Sequence, residues 1–167
     1  QTDKQKSAIL KIALFATGIS GIVAEYILST LASYFIGNAV VQFALIVSTM
    51  LFAMGFGSRL SKLIEKELLV KFIYLELILS FLVSFCALAV YVTYGRYSPV
   101  LIYALSIVVG LLIGLEIPLV TRLNEEFEEL KVNVASVLEK DYYGSLVGGL
   151  FFAFVGMPFL GLTYTPF

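Results

Sequence analysis

The chain has no histidine and a single cysteine. The first absence removes the commonest catalytic base and metal ligand. The second rules out an internal disulfide, and Cys86, set in an apolar run, reads as a small core residue. No metal-ligand cluster and no nucleophile with a base partner stand in the sequence. Gly144-Ser145-Leu146-Val147-Gly148-Gly149 is rich in glycine but follows no strand, so it is not a nucleotide-binding turn. A basic stripe with interleaved aromatics is also missing, which argues against nucleic acid as a partner. Catalytic residues, a resident metal and a cofactor are therefore not expected within this chain. Internal repeats and low-complexity tracts are absent too.

What is present is apolar length. Of 167 residues 60% are hydrophobic, and the mean hydropathy is +0.98. Five apolar runs, at about 9–36, 39–60, 68–94, 100–120 and 142–162, are each long enough to cross roughly 30 Å of hydrocarbon. The expected fold class is all-α: a polytopic integral membrane helix bundle forming one membrane domain over 1–167, with the lipid bilayer as its first partner. The basic start, Gln1 to Lys11, leads into a run too long for a cleaved signal peptide. No initiator methionine precedes Gln1 and no polar tail follows the fifth run, so the chain reads as part of a longer one.

Charge orients the spans. Lys4, Lys6, Lys11, Arg59, Lys62, Lys66, Lys71, Arg122, Lys131 and Lys140 fall on one side of the pattern, and Arg96 alone falls on the other. By the positive-inside rule the N-terminus is cytoplasmic and the protein is multi-pass in the cell (inner) membrane. Between the fourth and fifth runs Leu123, Phe127, Leu130, Val134, Val137 and Leu138 recur at helical spacing among glutamates, predicting an amphipathic cytoplasmic helix over about 123–139. Its acidic face would be repelled by anionic headgroups, so it is expected either to dock on a cytoplasmic partner or to be a solvated connector.

Small residues line the spans. Gly18, Gly21, Glu25, Ser29 and Ala32 fall within roughly 80° of one another on a helix, Ala44, Ser48 and Gly55 align likewise, and Gly110/Gly114 and Gly144/Gly148 are paired four apart. Such stripes let backbones approach closely in lipid, where no hydrophobic force drives helices together. Close packing is the expectation for all seven of these glycines, with a homodimer as one outlet.

Glu25, Glu76 and Glu116 stand inside the runs. A carboxylate there costs about 2.5–3.5 kcal/mol even on the lenient insertion scale, so each must face protein or water and find a partner. Two readings are open: a site for a cationic ligand or proton, or acids hydrogen-bonded to Tyr26, Ser80, Tyr142 or Tyr143. Arg59 and Arg122 mark the ends of the second and fourth runs, where they can snorkel to headgroups or, by pairing with Glu116 or Asp141, close the cytoplasmic face. Pro118 predicts a kink near Glu116. Asp141 is placed to cap the fifth helix ahead of Tyr142.

Five stretches resemble a known family. They are Ile19-Ser20-Gly21 with Glu25-Tyr26; Leu31 through Asn38 continuing to Gln42-Phe43; Ala53-Met54-Gly55-Phe56-Gly57-Ser58; Gly114-Leu115-Glu116-Ile117-Pro118-Leu119; and Asp141-Tyr142-Tyr143-Gly144-Ser145-Leu146 through Pro158 and Leu160-Gly161-Leu162. Together they are similar to bacterial and archaeal membrane proteins in which a multi-span part precedes a cytoplasmic spermidine-synthase-like domain. The resemblance implies a seven-span membrane part, of which five are visible. It also implies a further cytoplasmic domain that transfers an aminopropyl group from decarboxylated S-adenosylmethionine to putrescine. Members are similar in Glu25, Glu76, Glu116 and Asp141, and polyamine is the implied cation. Two alternatives remain: a fragment of a major-facilitator-like secondary transporter, to whose basic loop motif Gly55 through Lys62 is loosely similar, and a purely structural anchor or dimerisation scaffold.

Overall fold

The computed structural model describes residues 3–93, 97–125 and 130–166, with the side chains of residues 3 and 4 left aside. The described residues are all-helical, with no strand among them. The helices are α1 (Asp3–Ile36), α2 (Ala39–Leu60), α3 (Leu68–Val92), α4 (Ser98–Asn124) and α5 (Leu130–Phe151). A short 3-10 turn, Ser61–Leu63, follows α2. After α5 the backbone loosens into a π-helical stretch, Phe152–Leu160, that contains Pro158, and closes with α6 (Gly161–Tyr164). Five helices are long and apolar enough to cross a membrane.

The ends follow from local chemistry. Gly37 and Asn38 both adopt positive φ, 91° and 51°, and the Asn38 side chain accepts a hydrogen bond from the Val41 amide to start α2. Pro99 sits in the first turn of α4, where its missing N–H costs nothing. Helix α4 then runs through Pro118 without ending and continues to Asn124, past the 120 expected from hydropathy.

The predicted separate helix over 123–139 is not what forms. Residues 126–129 lie outside the described part, but from Leu130 onward one helix runs to Phe151. Asp141 is therefore mid-helix, and its expected capping role does not hold. The sequence between Leu130 and Tyr143 contains no glycine or proline to interrupt it, and every residue there tolerates a helix.

Packing is tightest for two helix pairs. On α2 and α4, a Cβ added at Gly114 would overlap the Met54 backbone, one at Gly57 would overlap Leu111, and one at Gly110 would lie 2.8 Å from the Met50 carbonyl. On α1 and α5, Gly18 abuts Asp141, Gly144 abuts Phe15, and Gly148 would press on Ile19 at 2.7 Å. These contacts require glycine because backbone meets backbone, and dispersion at that range holds the helices together. Gly21 is filled from the side by Ile113. Gly55 corrects its expected packing role: a Cβ there meets nothing within 4 Å. Ala44 and Ser48 are exposed beside it, and the buried face of α2 is Ile46, Met50, Ala53 and Gly57 instead.

Two apolar clusters divide the interior. One, built on Val23, Ile27, Leu31, Ile46, Cys86, Val90 and Ile102, fills the end remote from Lys11, Arg59, Lys62 and Arg122. A smaller one, Leu10, Leu14, Phe72, Leu119, Val120 and Val137, lies toward that basic end. Large apolar side chains cover the outside, among them Phe52, Leu77 and Phe154.

Candidate buried carboxylate site

Between the two clusters the interior becomes polar, and one α1 hydroxyl organises it. Thr17 is buried, and its Oγ1 lies 2.9 Å from Glu76 Oε1 on α3 and 2.5 Å from Glu116 Oε1 on α4. It also lies 3.0 Å from the Ala13 carbonyl one turn back. A threonine hydroxyl has one proton to donate and lone pairs to accept. Three acceptors around it therefore exceed what it can donate to. Glu76 and Glu116 thus meet at one hydroxyl whose single proton cannot serve both, so the pair calls for a bridging proton or cation.

One turn along α1, a cavity of about 60 Å³ opens among α1, α2, α4 and α5. Thr17, Glu25, Asp141 and Ser145 supply its polar wall, and Met50, Met54, Ile22 and Ile113 the apolar one. Ser145 donates to the Gly18 carbonyl at 3.3 Å, which fixes its hydroxyl at the cavity edge. Glu116 is 1% and Asp141 9% exposed, whereas Glu25 and Glu76 are half-buried. Among the described residues no lysine or arginine forms an ion pair with any of these four acids.

The other residues singled out from sequence lie elsewhere. Arg122 pairs with neither Glu116 nor Asp141. Its Nη1 and Nη2 donate to the carbonyls of Ile64 at 2.8 Å and Ser61 at 2.6 Å, and its Nε reaches the Pro118 carbonyl at 3.4 Å. The carbonyls at the end of a helix lack intrahelical donors, and a guanidinium satisfies them with favourable charge. Arg122 thus straps the turn after α2 onto α4. Arg59 is exposed at the same end.

Tyr142, Tyr143 and Ser80 are exposed and face away from the acids, and Tyr26 packs on Phe43 and Phe152, with ring centroids 6.3 and 5.3 Å away. The hydroxyl that serves the glutamates is that of Thr17, which sequence reasoning passed over. So were the buried Asn124 and Asn133. Asn124 Nδ2 donates to Asn133 Oδ1 at 2.9 Å, and Asn133 Nδ2 donates to the Thr121 carbonyl at 2.7 Å, joining α4 to α5. Arg96, the lone opposite-side cation in the charge count, lies outside the described residues.

A chain whose described residues are all-helical, with five membrane-length helices and an acidic interior, is thus the class these observations define. Comparison with known proteins relates it to polyamine aminopropyltransferases. It is 48% identical over 162 residues to polyamine aminopropyltransferase 2 of Aquifex aeolicus, a match covering 95% of this chain and 33% of that protein. It is 39% identical over 160 residues to the polyamine aminopropyltransferase of Leptospira interrogans, covering 95% and 32%, and 30% identical to that of Mycobacterium tuberculosis, covering 93% and 32%. The chain spans about a third of the length of the curated relatives it matches. No family model and no solved structure matches it.

Proposed function

We propose that this chain is the membrane-embedded part of a spermidine-synthase-like protein, multi-pass in the cell (inner) membrane. Its basic end and N-terminus are cytoplasmic, and it anchors an aminopropyltransferase domain carried by further sequence. That domain would use decarboxylated S-adenosylmethionine as its substrate. Within the bundle, Glu25, Glu76 and Glu116 form a site for a cation, either a polyamine or a proton.

One observation carries the site reading: Glu76 and Glu116 meet at Thr17, which lines the same cavity as Glu25, with no lysine or arginine partner among the described residues. Removing charged carboxylates from water without a counter-charge is costly, so the arrangement requires a neutralising species. The names of the relatives support the polyamine context. The close contacts of Gly18, Gly110, Gly114, Gly144 and Gly148 are with other helices of this chain. A second copy meeting those same stripes is therefore a weaker reading than an internally packed bundle.

The test uses the full-length protein in proteoliposomes, with Glu25→Gln, Glu76→Gln and Glu116→Gln combined. Loss of polyamine binding or uptake, or of proton uptake, is expected. Retention of all of these at wild-type level removes the site, and a reporter fused after Lys62 that proves extracytoplasmic removes the orientation.

A further inference from the structure

Asp141 is the acid whose surroundings are least accounted for. It is 9% exposed and lines the 60 Å³ cavity, and among the described residues its carboxylate receives no hydrogen bond and no ion pair. The cavity gives it room for water. At about 10–15 Å³ of probe-occupied space for one molecule, the cavity holds a few waters, each needing two to four polar partners. Thr17, Asp141, Ser145 and Glu25 can supply them.

The spacing suits a short water chain. Thr17 and Glu25 lie on the same helix two turns apart, roughly 12 Å at 1.5 Å per residue. Two waters make three hydrogen bonds of about 2.8 Å, spanning roughly 8 Å, and the Glu25 side chain can cover the remainder. Asp141 and Ser145, from the facing helix, stand along the same cavity.

We propose that Thr17, Asp141 and Glu25 form a water-mediated proton relay leading from the Glu76–Glu116 pair, so that the species neutralising the intramembrane acids is the proton. This rests on the carboxylate site of the preceding section and narrows its ligand. In one passage Thr17 Oγ1 accepts the proton held by the glutamate pair and releases its own to a cavity water. That water passes a proton to its neighbour, and the Glu25 carboxylate takes up the last one. One O–H bond breaks and one forms at every step, and no electron is transferred. Asp141 holds the waters in line and stabilises the excess charge as it passes.

Few other charges face the relay. Helix α1 contributes Glu25, α3 Glu76, α4 Glu116 and α5 Asp141, while α2 presents only Met50 and Met54 to the cavity. Arg122 on α4 is occupied by the Ser61 and Ile64 carbonyls, and Lys140 on α5 pairs with Glu139 at 2.7 Å. Beyond Glu25 the apolar cluster of Ile27, Leu28 and Leu31 closes the route, so the relay opens toward the basic end only.

The experiment is infrared difference spectroscopy of the full-length protein in lipid nanodiscs, between acid and alkaline pH, in light and heavy water. Glu25→Gln, Glu116→Gln, Asp141→Asn and Thr17→Val are compared with wild type, and Thr17→Ser serves as the folded control that keeps the hydroxyl. The wild type is expected to show protonated-carboxyl bands that shift in heavy water, one lost in Glu116→Gln and one in Glu25→Gln. Asp141→Asn and Thr17→Val are expected to slow deuteration of the Glu25 band at least tenfold, and Thr17→Ser to restore it. No protonated-carboxyl band, or an unchanged deuteration rate in both Asp141→Asn and Thr17→Val, overturns the relay. Bands abolished by added spermidine or sodium also overturn it, while leaving the wider cation-site reading intact.

Discussion

Thr17 and Glu116 stand 99 positions apart in the chain, yet the threonine hydroxyl lies 2.5 Å from the glutamate Oε1 deep inside the bundle. The same hydroxyl reaches Glu76, so a single side chain on α1 ties the polar interior of α3 to that of α4. Its loss removes the one hydroxyl proton that the two glutamates share.

Replacing Thr17 with valine, which keeps the shape and deletes the hydroxyl, is therefore expected to destabilise the bundle by about 1–3 kcal/mol. Thr17→Ser should retain most of the stability. Reversible unfolding in mixed detergent micelles measures both, and a valine variant as stable as wild type would show that the hydroxyl satisfies nothing essential.

The glycines separate into those that touch a neighbouring helix and one that does not. A Cβ at Gly114 would overlap the backbone of Met54, which cannot rotate away as a side chain would, so Gly114→Ala should cost about 1–3 kcal/mol. Gly55→Ala meets open space and should stay within about 0.5 kcal/mol of wild type. The same unfolding assay reads the contrast, and equal effects at the two positions would contradict it.

Arg122 acts through geometry as much as charge. Lysine donates from a single nitrogen and lacks the rigid planar fork that reaches the Ser61 and Ile64 carbonyls from two separate nitrogens. Arg122→Lys should therefore loosen the turn after α2 while the remainder stays folded. Hydrogen exchange at the Ile64 amide, which donates to the Ser61 carbonyl at 3.0 Å, should speed up by at least tenfold, and unchanged protection would exclude the strap.

Asn133 satisfies both Asn124 and the Thr121 carbonyl. Asn133→Ala leaves buried polar groups without that partner, at an expected cost of about 1–3 kcal/mol, with the weakening concentrated where α4 meets α5. Exchange at the amides around Thr121 and Asn124 should rise before that of α2. A uniform loss across the bundle would mean that the asparagine pair joins nothing locally.

Much of this architecture was legible in the sequence because hydropathy runs report length directly. The turn at Gly37-Asn38 was equally legible, since both residues tolerate positive φ. Direction was harder to read. Helices that are apolar all round carry no amphipathic signal to say which face is inward, so the sequence does not distinguish Gly55, which meets open space, from Gly57, which makes the contact. Asp141 was read as a cap because it precedes an apolar run, but the polar residues before it are good enough helix formers to continue the helix through it. The acids themselves were visible as anomalies in Glu25, Glu76 and Glu116. Thr17 was not, because a threonine in a span is ordinary until the partner from a distant segment is in place.

The account depends most on five lipid-embedded helices that turn their acids inward, and accessibility of spin labels in nanodiscs tests this directly. Phe52, Leu77 and Phe154, exposed by 77%, 62% and 70%, are replaced one at a time by labelled cysteine, with Lys62 as the control at the basic end. Native Cys86 is 1% exposed and should take no label. The account predicts that all three labels relax with dissolved oxygen and are shielded from a water-soluble nickel chelate, whereas the label at Lys62 meets the chelate. Chelate access at Phe52, Leu77 and Phe154 equal to that at Lys62 would contradict it.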